Sequence, residues 1–347
     1  MRAVVLVGGE GTRLRPITET IPKPLVPLVD RPSLAHVLDH LERHGVHEVV
    51  LSSSYHEETF GAFIRSRHGD PAITWITEIE PLGTGGAIVN ALEALDTNEP
   101  FLALNGDILT DLDLTEMVAL HRDREAVATI ALTPVGDARP YGLVPLDGQG
   151  RVLEFREKPA ELIPGDINAG TYVLDPSALQ GWTRGENVSI ERQIFPALIA
   201  AGRPLYGFPS GAYWMDLGTP EAYLQAHWDL LDGRVGGEPA YPSPFIQSEG
   251  VLEQGVLGLH VVAGTGVRVA GTATVEDSVL FEAARVDESA VVRRSILGRN
   301  ASVHARAEVV DSVLGEGAVV AEGAVAHGQR VRPGERFEAP SEGPETL

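Results

Sequence analysis

The chain has 347 residues, a length that suggests about two domains rather than a single core. Its 43% hydrophobic and 22% charged residues are typical of a soluble globular protein. The net charge of −22 repels polyanions, so nucleic acid is not an expected partner. The absence of cysteine excludes disulfides, thiolate metal sites and thiol nucleophiles.

The apolar runs of the sequence are short, and none approaches the ~20 residues that a membrane-spanning helix needs. The N-terminus passes directly into a strand-like run, without the apolar segment and cleavage site of a signal peptide. We therefore expect a cytoplasmic protein with no membrane partner.

Residues 1–232 alternate strand-like and helix-like segments. Leucines and a valine recur at helical spacing over residues 34–41, and Gly45 is placed to end that helix. This alternation predicts an α/β domain, Rossmann-like, with a mostly parallel sheet and helices on both faces. The predicted strands cover residues 3–7, 49–52, 74–79 and 101–104, and the predicted helices cover residues 34–41, 59–67 and 87–95.

The C-terminal third has a different texture. Glycines and prolines over residues 233–250 predict a linker. Valine or leucine then recurs every six residues over 291–309 and, in a shifted phase, over 313–331. This period predicts a left-handed parallel β-helix of hexapeptide-like repeats over residues 251–333, with one coil irregularity near Asp311. Residues 334–347 are predicted to be a disordered tail.

A glycine-rich loop follows the first predicted strand. The sequence GGEGTRLRP occupies residues 8–16, and its glycines let the backbone approach a phosphate closely. It is neither a Walker A loop, which ends in Gly-Lys-Ser/Thr, nor a dinucleotide fingerprint, which has glycine where Leu14 stands. Arg13 within the loop and Lys23 shortly after it distinguish the segment from a plain strand-to-helix turn.

This pattern resembles the signature of the sugar nucleotidylyltransferases, also called nucleotide-sugar pyrophosphorylases. The resemblance covers most of residues 1–232 in the family's order, and the C-terminal repeats fit its longer members, the GDP-mannose pyrophosphorylases in particular. The motifs that carry it are GGEGTRLRP at 8–16, PKPL at 22–25, LGTGGA at 82–87, NGD at 105–107, EKP at 157–159, NAG at 168–170 and WMDLGTP at 214–220.

The resemblance implies transfer of a nucleoside monophosphate from an NTP to a sugar 1-phosphate, with release of pyrophosphate. In this reaction positioning and charge neutralisation carry most of the catalysis. Arg13 is expected to hold the departing β- and γ-phosphates, and Lys23 is expected to neutralise the α-phosphate. The remaining residues that the resemblance assigns to nucleotide binding are Gly8, Gly9, Gly11, Thr12, Glu80 and Gly85.

The resemblance also implies a metal site and a sugar site. Asp107 and Asp216, with phosphate oxygens and water, would form an octahedral Mg²⁺ site. Asp107 alone is equally compatible with a turn residue, and its pairing with Asp216 is what the resemblance implies. The sugar phosphate is assigned to Gly142, Glu157, Lys158, Asn168 and Gly170.

Glu80 precedes the segment that resembles the family's base-recognition loop. Guanine presents two donors on its Watson–Crick edge, and the two carboxylate oxygens of Glu80 match them. Together with the β-helix, this favours GTP and mannose 1-phosphate. Glu80 facing solvent, and a thymidylyl- or uridylyltransferase acting on glucose 1-phosphate, remain open.

Three other roles compete. A non-catalytic regulatory subunit is disfavoured because Arg13, Lys23, Asp107 and Asp216 are all present. An acyltransferase activity of the β-helix would use a histidine base, and His260 is one of three candidates. We favour the third role, in which the β-helix serves assembly into a homo-oligomer.

Overall fold

The computed structural model describes residues 1–54, 57–67, 69–247, 251–252 and 255–338. The chain divides into two compact units. One comprises Met1–Gly9 and Leu34–Trp214 and is called the sheet unit here. The other comprises Glu10–Ser33 and Met215–Leu347 and is called the coil unit. The segment that carries Arg13 and Lys23 thus belongs to the same unit as the C-terminal repeats.

The described part of the sheet unit contains a nine-stranded sheet with a parallel centre. Strand Arg2–Leu6 pairs in parallel with both Glu48–Ser53 and Phe101–Asn105, as the alternation of elements predicts. Later strands extend the sheet, partly through antiparallel pairing. The nine strands are Arg2–Leu6, Glu48–Ser53, Ala72–Thr77, Phe101–Asn105, Ala128–Val135, Gly142–Leu143, Arg156–Glu157, Gly165–Leu174 and Leu205–Pro209.

Helices follow these strands along the chain and bury their apolar stripes. The first helix ends at Arg43, and Gly45 adopts a φ of 72° after it, as predicted for a helix terminator. The α-helices are Ser33–Arg43, Glu57–Ser66, Gly83–Leu95, Leu114–Asp123 and Phe195–Ala200. A π-helical turn at Ile190–Ile194 directly precedes the last of them. The predicted α/β class is confirmed.

One helix begins earlier than its sequence pattern predicts. Helix Gly83–Leu95 starts four residues before the predicted start at residue 87, so the glycine-rich segment forms its first turn. The glycines allow this turn to lie against a neighbouring segment, where the Gly86 N–H donates to the Val188 carbonyl at 2.9 Å. The close packing of the helix start against the segment at Val188 requires these glycines, and glycine content alone does not reveal it.

The parallel centre of the sheet places two predicted motifs at one edge. Leu6 lies opposite Asn105 in the register of their two strands. The Gly106 N–H donates to the Leu6 carbonyl at 2.9 Å, which ties the two strand ends together. Gly8, Gly9 and Asp107 therefore leave the carboxyl ends of adjacent parallel strands, where ligands of such sheets bind.

The coil unit contains a parallel β-helix with three faces. One face stacks Val262, Val279, Ile296 and Val313 in successive coils, each 17 residues after the last. Its interior is filled by buried valine, alanine and leucine side chains. Each face is a ladder of parallel strands. The first ladder runs from Phe245–Ile246 to Arg330–Val331, the second from Val251–Leu252 to Arg336–Phe337, and the third from Val256–Leu257 to Val325–His327.

The single irregularity predicted near Asp311 is wrong, because the phase shift recurs in every coil. A coil of 17 residues is one short of three hexapeptides, so the period slips once per turn. The slip falls at a corner where Asp277, Arg294 and Asp311 take positive φ values of 49°, 43° and 51°. Serine follows each of these residues.

The β-helix also extends beyond its predicted limits of 251–333. Phe245–Ile246, within the predicted linker, pairs in parallel with Val262–Ala263. Arg336–Phe337, within the predicted tail, pairs with Val319–Val320. Each added strand satisfies backbone groups of the adjacent coil, which local composition does not indicate. Residues 339–347 of the predicted tail lie outside the described residues.

The rest of the coil unit is held together by buried and ionic contacts. Helix Pro220–Leu231 starts at Thr219, whose hydroxyl accepts from the Ala222 N–H at 3.2 Å. Arg31 forms an ion pair at 2.7 Å with the buried carboxylate of Glu238. Short 3₁₀ turns at Thr12–Leu14, Ile17–Glu19 and Lys23–Leu25 precede a ribbon of Pro27–Leu28 and Arg31–Pro32. Across the described ranges, the helices are all too short or too polar to span a bilayer.

Candidate functional site

The glycine-rich loop turns at Gly11. Gly11 has a φ of 62°, and an added Cβ would lie 2.9 Å from Cγ2 of Thr18, so both conformation and space require glycine. Its carbonyl accepts from the Leu14 N–H at 2.9 Å and from the Thr18 hydroxyl at 2.8 Å. Leu14 is buried, whereas Thr12 and Arg13 are exposed. The turn thus presents the polar residues of the loop to solvent.

Three of the predicted residues converge within the coil unit. Nη2 of Arg13 lies 3.3 Å from one Asp216 carboxylate oxygen, and Nζ of Lys23 lies 3.6 Å from the other. The Lys23 side chain is 7% exposed and that of Arg13 is 62% exposed. The carboxylate thus lies between a buried lysine and an arginine whose side chain is largely exposed to solvent.

Gly218 makes room for this cluster. A Cβ at this position would lie 2.5 Å from Nη2 of Arg13 and 2.9 Å from an Asp216 carboxylate oxygen. Any side chain here would displace the guanidinium. Glycine at this position of the WMDLGTP motif therefore lets the Arg13 guanidinium lie beside the Asp216 carboxylate.

The sheet unit contributes the start of the loop. The Gly8 carbonyl accepts from the Ser54 hydroxyl at 2.9 Å, and a Cβ on Gly8 would lie 3.2 Å from the Ser54 nitrogen. Gly9 is exposed, with no atom within 4 Å of the position of an added Cβ. A side chain at Gly8 would therefore press against Ser54, whereas a side chain at Gly9 would extend into open space.

The two predicted metal-binding carboxylates belong to different units. Asp107 is half-buried in the sheet unit, two residues after strand Phe101–Asn105 ends. Asp216 belongs to the coil unit. Among the residues that the structure describes, no three His, Asp or Glu side chains are grouped as metal ligands would be.

The segment predicted to recognise the base is anchored by Glu78. The buried Glu78 carboxylate accepts from the Ser52 hydroxyl at 2.9 Å and from the Leu82 N–H at 3.1 Å. Glu80 is exposed. Gly85 is buried, and a Cβ there would lie 2.7 Å from the Ile194 side chain. The packing around Gly85 therefore leaves no room for a larger residue.

The sheet unit also contains a cavity of about 390 Å³ that brings several predicted sugar-binding residues together. Three of the residues that the resemblance assigns to the sugar phosphate line it, namely Gly142, Glu157 and Asn168. A Cβ on Gly142 would lie 2.6 Å from the Phe155 ring and 3.1 Å from a Glu157 oxygen. The other lining residues are Thr84, Tyr141, Ser189, Glu191 and Arg192.

Glu191 is the centre of a hydrogen-bond network at this cavity. Its carboxylate accepts from the hydroxyls of Thr84 and Ser189, each at 2.7 Å, and from the Tyr172 hydroxyl at 3.3 Å. Nδ2 of Asn168 donates to the Tyr172 hydroxyl at 2.8 Å. Burial, reinforced by the Glu191 charge, raises the pKa of Tyr172 well above its usual value, so this tyrosine stays protonated.

The NAG segment at residues 168–170 is held from two sides. The Asn168 side chain accepts from the Gly170 N–H at 3.0 Å. Nε1 of Trp214 donates to the Ala169 carbonyl at 2.9 Å, and the Trp214 ring meets the edge of Tyr141. Trp214 therefore supports the cavity wall by a hydrogen bond.

Lys158 and Gly170 are placed differently from the cavity-lining residues. Lys158 is exposed with a φ of 49°, and its N–H donates to the Tyr141 carbonyl at 2.9 Å. Gly170 has a φ of 72° and lies against the Asn105 side chain. The cation that does line the cavity is Arg192, whose Nη2 lies 3.7 Å from a Glu157 oxygen.

Glu191 and Arg192 escaped the sequence analysis. They follow Ser189, whose hydroxyl accepts from the Arg192 N–H and caps this turn, so the segment has the pattern of an ordinary helix start. The turn is π-helical, and π-turns are frequent at functional sites, but no residue spacing indicates one here. Only the fold brings this turn to Thr84 and Asn168.

Comparison with known proteins shows which family the chain is similar to. Residues 2–233 match the family model described as nucleotidyl transferase, and residues 244–345 match the model described as GMPPB C-terminal domain. The mannose-1-phosphate guanylyltransferase of Mycobacterium tuberculosis is 37% identical over 84% of this chain and 83% of its own length. Mannose-1-phosphate guanylyltransferase 1 of Arabidopsis thaliana is 34% identical over 86% of each chain.

Solved structures show the same fold over the N-terminal two thirds. The crystal structure of HddC from Yersinia pseudotuberculosis complexed with GMP-PN matches with a TM-score of 0.57 and 32% identity. The match covers 65% of this chain and 97% of HddC. The chain therefore belongs to the nucleotidyl transferase family, with mannose-1-phosphate guanylyltransferases among its relatives.

Proposed function

We propose that the chain transfers GMP from GTP to mannose 1-phosphate, forming GDP-mannose and releasing pyrophosphate. The observation that carries this proposal is the convergence of Arg13 and Lys23 on Asp216 beside the glycine-rich loop. This cluster supplies two cations and a carboxylate, as a triphosphate with a divalent ion requires. The identity with mannose-1-phosphate guanylyltransferases supports the choice of base and sugar.

On the nucleotide side, the loop that includes Gly8, Gly9, Gly11 and Thr12 would hold the triphosphate with backbone N–H groups. The exposed Arg13 would pair with the β- and γ-phosphates. Glu80, which is exposed and therefore accessible to a base, would accept from N1–H and the amino group of guanine. Gly85 would act by allowing the close packing of the helix start next to Glu80.

Asp107 and Asp216 would hold Mg²⁺. Their carboxylates are the hard oxygen donors that this ion prefers, and two of them leave positions for phosphate oxygens and water. Asp216 lies between the cations of Arg13 and Lys23, which would also face the phosphates around the ion. When bound, the ion would lower the energy of negative charge that develops on the phosphates.

On the sugar side, the cavity lined by Gly142, Glu157 and Asn168 would take mannose 1-phosphate. Glu157 suits vicinal hydroxyls because its two oxygens accept in parallel. Arg192 lines the same cavity and would bind the sugar phosphate. The exposed Lys158, which directly follows Glu157 in the sequence, would assist in binding the sugar phosphate. Gly170 would shape the segment that follows Asn168.

In the transfer step, an oxygen of the sugar phosphate attacks the α-phosphorus of GTP and pyrophosphate leaves from the opposite side. Lys23, held almost fully buried, would neutralise the α-phosphate as charge accumulates. Arg13 would break its ion pair with Asp216 and form one with the departing pyrophosphate. The protein need contribute no covalent intermediate.

The β-helix would serve as a surface for assembly into a homo-oligomer. The two ends of such a coil expose unpaired strand edges, which readily pair with another chain. Sedimentation of the intact chain tests this. A monomer at all accessible concentrations would contradict it.

The deciding experiment is pyrophosphate release with Mg²⁺ over a grid of GTP, dTTP, UTP, ATP and CTP against mannose 1-phosphate and glucose 1-phosphate. We expect turnover concentrated on GTP with mannose 1-phosphate. A preference for dTTP or UTP with glucose 1-phosphate would overturn the substrate assignment. Glu80→Gln should reduce the preference for GTP over the other nucleotides, whereas the exposed Glu99→Gln should not.

A further inference from the structure

Arg330 joins the last described coils of the β-helix to the glycine-rich loop, within the coil unit. Its Nη1 donates to the carbonyl oxygen of Arg13 at 2.7 Å and to that of Arg15 at 2.9 Å. The two donor–acceptor pairs are separated by more than 300 positions in the sequence. One nitrogen thus bridges two carbonyls on either side of Leu14.

The sequence of the loop leaves the Arg13 carbonyl without a donor from the turn itself. Its 3₁₀ turn is closed by hydrogen bonds from Leu14 N–H to the Gly11 carbonyl and from Arg15 N–H to the Thr12 carbonyl. The next bond of this pattern would run from residue 16 to the Arg13 carbonyl. Residue 16 is Pro16, which has no N–H to donate. Arg330 supplies the missing donor from outside the turn.

The position of Arg330 in the β-helix is also unusual. Its column runs from Phe245 through four apolar side chains, Val262, Val279, Ile296 and Val313, aligned by the parallel registers. These four side chains are at most 4% exposed. The sixth member of the column is an exposed arginine, Arg330. The column thus changes from buried apolar side chains to a polar contact at the coil whose strand bonds the loop.

We propose that Arg330 is a positioning residue for nucleotide binding, through which the β-helix fixes the backbone on both sides of Leu14. It acts through Arg13, whose side chain lies 3.3 Å from Asp216 and is expected to bind the β- and γ-phosphates. This inference rests on the proposed nucleotide role of the loop. It gives the β-helix a part in catalysis in addition to assembly.

Arg330→Gln should raise the KM for GTP about tenfold and leave the KM for mannose 1-phosphate unchanged, since a hydrogen bond from a charged group is lost only at the loop. Arg330→Lys should recover part of the effect, because an ammonium can still reach one carbonyl. The matched control is Arg285→Gln, an exposed arginine on a strand of another face of the same β-helix. Equal kinetics of the two Gln variants would overturn the proposal.

A second readout does not depend on the substrates. Arg330→Gln should speed hydrogen exchange of the amides in Thr12–Leu14 and at Arg15, whereas Arg285→Gln should not. Unchanged exchange would reject the contact as an anchor of the loop. Faster exchange with an unchanged KM for GTP would reject its functional consequence. If the substrate grid is silent while exchange responds, the proposed function fails and the structural half of the inference stands.

Discussion

The sheet unit and the coil unit prepare their parts of the chemistry by different means. In the coil unit, Arg13 and Lys23 are already paired with Asp216, so the phosphate that we propose to bind there would compete with this carboxylate for the two cations. In the sheet unit, Glu191 is satisfied by three hydroxyls beside an open cavity. An ionic cluster suits a ligand of high charge, whereas a hydroxyl network suits a sugar.

The largest effect is expected from the coil unit. Lys23→Met removes the buried cation beside Asp216 and should lower kcat/KM by ~10²–10³, the usual cost of losing one preorganised donor. Steady-state rates of pyrophosphate release measure it. Arg285→Met, which removes an exposed cation of the same unit far from the loop in sequence, should stay near the wild-type rate. Similar losses in both variants would mean that overall charge, rather than the cluster, governs the reaction.

A smaller effect, on the other substrate, is expected from the sheet unit. Glu191→Gln replaces an ionised acceptor of three hydroxyls and should raise the KM for mannose 1-phosphate about tenfold, with the KM for GTP unchanged. Glu186→Gln is the control, because Glu186 is exposed and accepts only from a nearby N–H at 3.3 Å. A matched rise in both KM values for Glu191→Gln would break the division between the units.

The next prediction concerns stability of the coils. Ser295 is fully buried, and its hydroxyl accepts from the Ser312 N–H at 3.1 Å while donating to the Arg293 carbonyl at 2.7 Å. Ser295→Ala leaves a buried N–H without an acceptor and should destabilise the fold by about 1–3 kcal/mol. Urea unfolding measures it.

Ser302→Ala provides the comparison for this stability prediction, because Ser302 is half-buried on a strand rather than at the serine corner. An equal unfolding midpoint for the two variants would show that the corner serines contribute nothing beyond packing. Catalytic constants should hardly change in either variant, which separates the stability of the coils from the chemistry of the loop.

The smallest predicted effect depends on pH. Partial burial lowers the pKa of His260, but its hydrogen bonds to Asp232 and Asp277, each at 3.0 Å, outweigh burial and raise it overall. Because the folded pKa is raised, the stabilisation is complete below the unfolded value of about 6.5 and is lost as pH rises through the folded value. Arg234 also pairs with Asp232 and competes for its charge.

Unfolding free energies measured on both sides of about pH 6.5 test this. The difference between wild type and His260→Gln should be largest at the acidic side and decrease towards alkaline pH. His304→Gln, on another coil, should show no such trend. A difference that grows with pH would contradict the assignment of His260 as the charged partner.

Much of the sheet unit could be predicted from the sequence because its signals are local. Runs of apolar residues predicted its parallel strands. In the coil unit, the ordered motifs singled out Arg13, Lys23 and Asp216, whose side chains converge, while their roles remain predictions. Glu191 could not be found, since Ser189 gives its segment the pattern of an ordinary helix cap. Arg330 could not be found either, because an arginine on a strand of a repeat has no local feature that distinguishes a loop anchor from a solvated charge.

The domain division shows a related limit. The predicted catalytic domain of residues 1–232 is continuous in sequence, yet Glu10–Ser33 belongs with the coils. Local patterns assign a segment to its neighbours in the chain, whereas contacts such as those of Arg330 assign it to partners far away. The corner of each coil was likewise mistaken for a single defect because its period becomes clear only when several coils are aligned.

The regular height of the coils has a consequence for how this chain can change in length. Neighbouring strands of a β-helix lie about 4.8 Å apart, so the number of coils sets how far along the axis Arg330 is carried. Inserting or deleting one 17-residue turn would preserve every corner and the buried columns. It would also move the arginine by more than the reach of a hydrogen bond. The number of coils therefore sets the position of Arg330 relative to the glycine-rich loop. A natural or engineered variant with a different number of coils would need a new donor for the Arg13 carbonyl, which Pro16 cannot supply.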